Sequence, residues 1–468
     1  MIRFGTDGWR AIIAEDFTFT NVARVAQAHA QAIKRAGGSR VLIGFDSRFA
    51  SDRFAFRVAE VMRASSLEVR VSTGIIPTPV LSLAVRNAGA DAGVMITASH
   101  NPSAYNGYKI KGSYGGSATP ELVALVEHEL TQLETPVWDS HRSVARFDAQ
   151  EEYFGHIAQI LDLEVLRRYS GRWFFDAMGG AGAGWLTSFA RFAKLNLEIV
   201  QIRHPAHPLF YGANPEPIDK NLGPLMQALK LETGLVFGVA TDGDADRLGA
   251  VTAGGAFFNS HQIFVVLLAH LARKGLRGRV VKTVSTSSLV ELLAEKLGFE
   301  VLETPVGFKY ITNAFLEGQE NPQKVVLIGG EESGGLAVMG HVPERDGLLN
   351  SLLLLEAVVS SGLSIEAQFK AVEQDLGVTH AYDRIDLELD AAFDKLAFLE
   401  RAKQISSVAN HQVSRVNTLD GVKLEFEGFG WLMFRASGTE PMLRVYCEAQ
   451  TSTEVNQILE AAKALIFA

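Results

Sequence analysis

Apolar positions along this chain alternate between two rhythms up to about residue 373, and the rhythm then changes. Helical spacing puts Val22, Val25, Ala26, Ala30 and Ile33 on one face of a segment at 21–35. His29 falls in the same stripe and reads as a core or rim histidine. An apolar run at Arg40–Phe45 predicts a strand, followed by a helix at 51–64, a strand at 67–71, a loop at 74–79 and a buried strand at 91–96. A helix at 120–133 closes this stretch. The same alternation returns from about 151, with strands at 173–175, 197–202 and 235–240. It returns again from about 255, with helices at 262–272, 288–297 and 347–360 and strands at 279–283, 299–304 and 324–328. Strands alternating with helices at this spacing indicate α/β sheets. From 374 short strands at 381–387, 421–426, 430–434 and 443–449 end in a helix at 453–467, which reads as a smaller α+β unit. The expected division is therefore 1–150, 151–254, 255–373 and 374–468, three related α/β domains and one α+β domain.

One pattern recurs in the first three units. A buried strand runs into a polar loop: 94–96 into Ser99, 236–239 into Asp242, and 325–328 into Glu331. Ligands of open α/β sheets sit beyond the carboxyl ends of strands, so three such loops can face one cleft. In the first, Thr97-Ala98-Ser99-His100-Asn101-Pro102, Pro102 biases Asn101 away from helix. The expectation is a shaped loop presenting Ser99 at a sheet edge, with Ser99 as nucleophile or phosphoacceptor. His100 beside it is a base or an orienting hydrogen-bond partner.

Composition narrows the class. The chain has 468 residues, 47% hydrophobic and 21% charged, which describes a multidomain globular protein. Its net charge of −9, without a basic block, argues against nucleic acid as a partner and leaves room for a local anion pocket. The single cysteine, Cys447, excludes an internal disulfide or thiolate metal site and fits a reducing cytoplasm. No apolar run approaches the roughly 20 residues that cross a bilayer. The N-terminus shows no leader pattern.

The second loop, Thr241-Asp242-Gly243-Asp244-Ala245-Asp246-Arg247, places three carboxylates within five residues. Carboxylates ~5 Å apart repel by about 3 kcal/mol per pair at an effective dielectric near 20. A hard divalent cation such as Mg²⁺ removes that repulsion. An EF-hand is excluded, because its sixth position is Arg247 and its twelfth is Ala253. The third loop, Gly330-Glu331-Glu332-Ser333-Gly334, offers acceptors and a hydroxyl suited to sugar hydroxyls, with one of the two Glu facing away. Arg435-Ala436-Ser437-Gly438-Thr439-Glu440-Pro441 has the composition of a phosphate cradle or of an ordinary Ser-Gly turn. Lys109 and Lys309, taken alone, read as surface lysines or phosphate contacts; Arg247 is tethered to the acidic loop.

Together these four loops, in this order, resemble the signature loops of the α-D-phosphohexomutase family, and Phe4-Gly5-Thr6-Asp7-Gly8-Trp9-Arg10 resembles its opening. The resemblance spans essentially the whole chain. It implies four domains around a central cleft, the fourth of TATA-binding-protein-like fold. It implies a phosphoserine at Ser99 and one Mg²⁺ held by Asp242, Asp244, Asp246 and the Ser99 phosphate. Glu331 and Ser333 would grip sugar hydroxyls, with Lys309 also contacting substrate, and Arg435, Ser437, Gly438 and Thr439 the non-reacting phosphate. Arg10, Lys109 and Arg247 would lie near the reacting phosphoryl group, and Lys109 and His100 are the candidates for proton transfer.

The implied reaction interconverts hexose 1-phosphate and hexose 6-phosphate through a hexose 1,6-bisphosphate, in a monomer or dimer. Glucosamine phosphate mutases of the family tend to show Ser where Thr97 stands and Gln-Ser-His in the third loop. Glu332-Ser333-Gly334-Gly335 favours glucose or mannose. Phe308 stands where some dual-specificity members carry His. A phosphoglucosamine mutase, a Mg²⁺-dependent sugar-phosphate phosphatase and a non-catalytic sensor are the alternatives.

Overall fold

The computed structural model describes residues 2–5, 7–132, 136, 138, 143–390, 393–436 and 442–467. Ala92–Ile96, buried along its whole length, lies inside a six-stranded sheet. The strand order is Trp9–Ile12, Tyr105–Gly112, Ala92–Ile96, Arg40–Phe45, Glu68–Ser72, Ala145–Phe147. The second sheet runs Phe257–Phe258, Leu248–Thr252, Phe237–Thr241, Arg172–Asp176, Glu198–Ile202. The third runs Val301–Thr304, Arg279–Thr283, Val326–Gly330, Leu336–Val338.

The three sheets repeat one device. A central strand pairs parallel to its neighbour on one side, then turns through the polar loop and returns as an antiparallel strand. Ala92–Ile96 returns as Tyr105–Gly112, Phe237–Thr241 as Leu248–Thr252, and Val326–Gly330 as Leu336–Val338. These return strands are absent from the sequence reading. Tyr105–Gly112 mixes Asn, Gly and Lys into its alternation, so the polar pattern hides a strand that is buried on both faces. The expectation that Ser99 stands at a sheet edge is also corrected: strands flank Ala92–Ile96 on both sides, and Ser99 is fully buried. The stretch read as a loop at 74–79 ends in the helix Thr78–Asn87, whose Pro79 sits at the first turn, where its missing N–H costs nothing.

Local chemistry starts the helices where they are needed. Thr18 caps Phe19–Arg35 by accepting from the Asn21 N–H, and Asp346 caps Gly347–Ser361 by accepting from the Leu349 N–H. Gly347–Ser361 is apolar nearly all round and buried from Gly347 to Val358. It packs on Ser260–Arg273 and belongs to a core containing Val80, Tyr153, Trp173, Phe237, Phe264, Leu327 and Leu352, drawn from all three α/β units. Each such side chain contributes roughly 1.5–3 kcal/mol on burial. A continuous core of this size fixes the first three loops relative to one another. His29 is a core residue: its Nδ1 lies 3.0 Å from the Tyr108 hydroxyl, and burial lowers its pKa to about 3.

The fourth unit is an antiparallel six-stranded sheet with its own core around Leu432, Phe434, Val445 and Ile458. Its apolar seam with the third unit packs Val284 and Val306 against Trp431, Met433, Tyr446 and Tyr382, and Phe429 reaches into the core of the other units. Polar contacts complete it. Glu448 accepts from the Ser287 hydroxyl and the Ser288 N–H, and Asn417 donates to Glu303 (2.6 Å). Among the described residues no single helix is long and apolar enough to cross a membrane.

Candidate active site

Ser99 sits just past Ala92–Ile96 with φ at 53°, the left-handed region uncommon for residues with side chains. A buried frame holds it there. Its N–H donates to Thr97 Oγ1 (2.8 Å), and Thr97 Oγ1 donates to Asp46 Oδ2 (2.6 Å). The Arg48 guanidinium donates to the carbonyls of Ser99 and Asn101 (both 2.7 Å), Pro102 (2.8 Å) and Tyr105 (2.9 Å), while its Nε lies 3.2 Å from Asp46. One planar cation thus fixes the whole turn after the strand. Ser51 Oγ also donates to Asp46 (2.8 Å), completing a fully buried brace.

The acidic loop meets this turn directly. Ser99 Oγ donates to Asp242 Oδ2 (2.7 Å) although 143 residues separate them. Gly243 permits the approach: a Cβ there would lie 2.3 Å from the Ser99 carbonyl oxygen. The three aspartates are wholly buried and can each bring one oxygen within 4.8 Å of the others. Protein donors occupy the remaining oxygens. Asp242 Oδ1 accepts from the N–H groups of Asp246 (3.0 Å) and Arg247 (3.1 Å). Asp244 Oδ2 accepts from Thr78 Oγ1 (2.5 Å) and Lys109 Nζ (2.8 Å), and Asp246 Oδ2 from Lys109 Nζ (2.9 Å). Asp244 Oδ1 and Asp246 Oδ1, both buried, have no hydrogen-bond partner among the described residues. Buried carboxylate oxygens without donors are costly unless a cation faces them. The all-oxygen donor set, beside a serine that could carry phosphate, fits Mg²⁺.

Charge around the cage is balanced locally. Burial, then Asp246 and Asp244, pushes Asp242 well above the usual carboxylate range. Burial works against the Lys109 ammonium, but Asp244, Asp246 and Asp7 outweigh it and hold the group protonated. Lys109 Nζ is 2.8 Å from Asp7. Arg10 donates to Asn101 Oδ1 (2.8 Å), and Arg247 Nε stands 4.0 Å from both Asp242 and Asp246. His100 Nδ1 is 3.5 Å from Ser99 Oγ. Burial, then Arg247, Arg10, Lys109 and Arg48, lowers the His100 pKa well below its ordinary value, so its imidazole is neutral.

The third loop joins the same cluster through Glu331, whose Oε2 lies 3.5 Å from Arg345. Burial raises Glu331 to about 7, with Arg345 opposing. Glu332 accepts from Ser285 Oγ (2.7 Å) and Thr283 Oγ1 (3.3 Å). Ser333 is half-buried beside it, and Lys309 lines a pocket with Asp7, Ile110 and Glu127. Asp420 holds Arg435 Nε at 2.9 Å. Ser437, Gly438 and Thr439 lie outside the described residues.

Sequence reading passed over Asp7, Asp46, Arg48, Thr78 and Arg345, which carry much of this geometry. Asp46-Ser47-Arg48 follows the buried strand Arg40–Phe45, the same strand-then-polar-loop pattern that singled out Ser99. Thr78, between two prolines, gave no such sign.

Models of the phosphoglucomutase/phosphomannomutase family match the chain in sequence: α/β/α domain I over residues 1–136, domain II over 151–255, domain III over 259–375 and the C-terminal domain over 387–465. The chain is 30% identical to a phosphoglucomutase/phosphomannomutase of Thermococcus kodakarensis, over 98% of this chain and 96% of the relative. It is 29% identical to a "probable phosphoglucosamine mutase" of Methanothermobacter thermautotrophicus, with the same coverage. It is similar in structure to a Thermus thermophilus protein provisionally assigned as a phosphomannomutase (TM-score 0.90, 43% identity, 100% of this chain and 99% of the other). The four loops, their domains and these relatives agree: the chain belongs to the phosphoglucomutase/phosphomannomutase family and is a phosphohexomutase.

Proposed function

We propose that the protein interconverts the 1- and 6-phosphates of glucose, mannose or both, by way of a phosphoserine at Ser99 and a hexose 1,6-bisphosphate. The observation that carries this reading is the 2.7 Å contact of Ser99 Oγ with Asp242, which puts the acceptor hydroxyl at the mouth of the carboxylate cage. Asp242, Asp244 and Asp246, with a phosphate on Ser99, would hold one Mg²⁺. When bound, Mg²⁺ supplies neutralisation of phosphoryl charge.

The chain's own residues do the rest. Phosphoryl transfer depends mainly on positioning and charge stabilisation. Arg48 and Thr97 fix the Ser99 backbone, so Oγ reaches the transfer position without reorganisation. Lys109, Arg10 and Arg247 present cations to the transferring group. Lys109 is held as an ammonium and donates; neutral His100, next to Ser99 Oγ, is the better acceptor for the proton released there. Glu331 and Ser333 orient sugar hydroxyls, with Lys309 at the pocket rim. Arg435, Ser437, Gly438 and Thr439 hold the distal phosphate, so their loop must accept either end of the turned-over bisphosphate. The fourth domain's separate core and partly polar seam, against the large core shared by the other three, support a fourth domain that opens and closes. Domain limits at 1–150, 151–254, 255–373 and 374–468, a cytoplasmic setting and a monomer or dimer without nucleic acid or membrane partners belong to the same proposal.

The sugar is tested by a panel: purified protein, Mg²⁺, catalytic hexose 1,6-bisphosphate, and glucose, mannose and glucosamine phosphates side by side. Turnover is expected on glucose or mannose phosphate. Preference for glucosamine phosphate would move the assignment to a phosphoglucosamine mutase, and stoichiometric release of inorganic phosphate would move it to a phosphatase.

A further inference from the structure

Arg345 stands where three loops from three domains meet. It directly precedes Asp346, the cap of Gly347–Ser361, and is 2% exposed. Its Nη2 lies 2.5 Å from Asp7 of the opening loop and 2.9 Å from Asp246 of the acidic loop; its Nη1 lies 3.5 Å from Glu331 of the sugar loop. Glu344 flanks Nε at 3.4 Å, and the Phe308 ring lies 5.0 Å from the guanidinium carbon. Glu344 is itself held by Lys111 (2.5 Å). The loop after Glu331 is built around the arginine stem: a Cβ at Gly335 would lie 2.2 Å from Arg345 Cδ.

The contacts divide the carboxylates in a way that matters for ligands. Asp246 gives Oδ2 to Arg345 and Lys109, which leaves the partnerless Oδ1 for the cage. Glu331 gives Oε2 to the same guanidinium. Turning either carboxylate breaks a contact with Arg345, so the orientation of the one constrains the other. A planar fork with several donors can hold three carboxylates at once; an ammonium, a point charge, cannot hold them in the same geometry.

We propose that Arg345 is a positioning residue that couples the sugar loop to the cation cage, so that a change at Glu331 is felt as a change in divalent-cation affinity at Asp246. This rests on the proposed assignment of the two loops. Phe308 serves the coupling by covering the guanidinium face.

The test measures Mn²⁺ affinity by calorimetry or electron paramagnetic resonance on full-length, unphosphorylated protein. Four proteins are compared: wild type, Glu331→Gln, Arg345→Lys and the double variant. A field effect of Glu331 that does not pass through Arg345 would change Mn²⁺ affinity equally in the wild-type and Arg345→Lys backgrounds. With coupling, Glu331→Gln releases the guanidinium toward Asp246 and weakens Mn²⁺ binding by about threefold or more, a typical size for residues in one ion-pair network. In the Arg345→Lys background the same change has no further effect, and Mg²⁺ and hexose phosphate KM rise together. An unchanged affinity in Glu331→Gln, or an equal loss in both backgrounds, overturns the proposal. Should Arg345→Lys not fold, Phe308→Leu replaces it: a weakened Mn²⁺ affinity at unchanged melting temperature supports the coupling, and an unchanged affinity refutes it. The Mn²⁺ affinities need no turnover. Failure of phosphoryl transfer from Ser99 would remove the proposed function while leaving the cation coupling to stand or fall on its own.

Discussion

Replacing Arg48 by Met removes the cation under the Ser99 turn while keeping much of the side-chain volume. Four backbone carbonyls, of Ser99, Asn101, Pro102 and Tyr105, then lose donors at 2.7–2.9 Å in a site closed to water. Asp46 loses its ion pair but keeps the Thr97 and Ser51 hydroxyls and the backbone N–H at position 48, and burial already favours its neutral form. It therefore protonates instead of standing as a bare charge. Each buried carbonyl left without a donor costs about 1–3 kcal/mol, and because the four bonds do not add independently the total comes to about 3–5 kcal/mol. The left-handed backbone at Ser99 stores roughly 1–3 kcal/mol that this frame over-determines. Without the frame the hydroxyl moves from the cage, and a displacement near 1 Å costs about 100-fold in rate. The expected result is a urea midpoint lowered by an amount equal to about 3–5 kcal/mol and kcat lowered about 100-fold. KM is expected to stay nearly constant, because Arg48 makes its contacts to the Ser99 turn and Asp46 and not to the sugar loop. Arg48→Lys, unable to reach four carbonyls, should recover stability in part and kcat little. A kcat within about threefold of wild type, or a loss below about 1 kcal/mol, refutes the reasoning.

Thr78→Val removes the 2.5 Å bond to Asp244 and is expected to weaken Mg²⁺ affinity about tenfold at nearly unchanged melting temperature, read by calorimetry. Glu331 has a folded pKa near 7 against 4.5 for the free group, so its contribution is fully favourable below pH 4.5 and is lost as pH rises through 7. In metal-free protein the wild type should lose about 3 kcal/mol over that window relative to Glu331→Gln, measured by urea unfolding at pH 5 and pH 8; parallel profiles would contradict it. At Glu448 burial is outweighed by His380, Ser287 and the Ser288 N–H, which hold its pKa near 2, so its contribution is present above pH 4.5 and lost as pH falls toward 2. Glu448→Gln is expected to cost about 3 kcal/mol at pH 7 and to speed hydrogen exchange along the seam between the third and fourth domains.

What was legible in the sequence followed burial. Val41–Phe45 is a continuous apolar run, and the strands read at Arg40–Phe45 and Arg279–Thr283 keep their ends in the structure. The return strand Tyr105–Gly112 was hidden because Asn106, Lys109 and Lys111 interrupt its apolar pattern, although all three are buried among partners that only the fold supplies. Ser99 and the aspartates announced themselves by density of polar groups after a strand. Arg48 and Arg345 did not, since each reaches decisive partners far along the chain, Ser99 for Arg48 and Asp7 for Arg345, and only the fold brings those within reach. Lys109 read as a surface residue for the same reason: its three carboxylates come from two other loops.

Rapid-quench transfer of ³²P from Ser99-phosphorylated protein tests the central arrangement most directly. Mixed with unlabelled hexose phosphate and Mg²⁺, the label should leave Ser99 and appear first in hexose bisphosphate, then in hexose monophosphate, at least as fast as steady-state turnover, with no matching inorganic phosphate. Label that stays on Ser99 through many turnovers, or that leaves it as inorganic phosphate, contradicts a hydroxyl and a cation cage built to pass a phosphoryl group to a sugar.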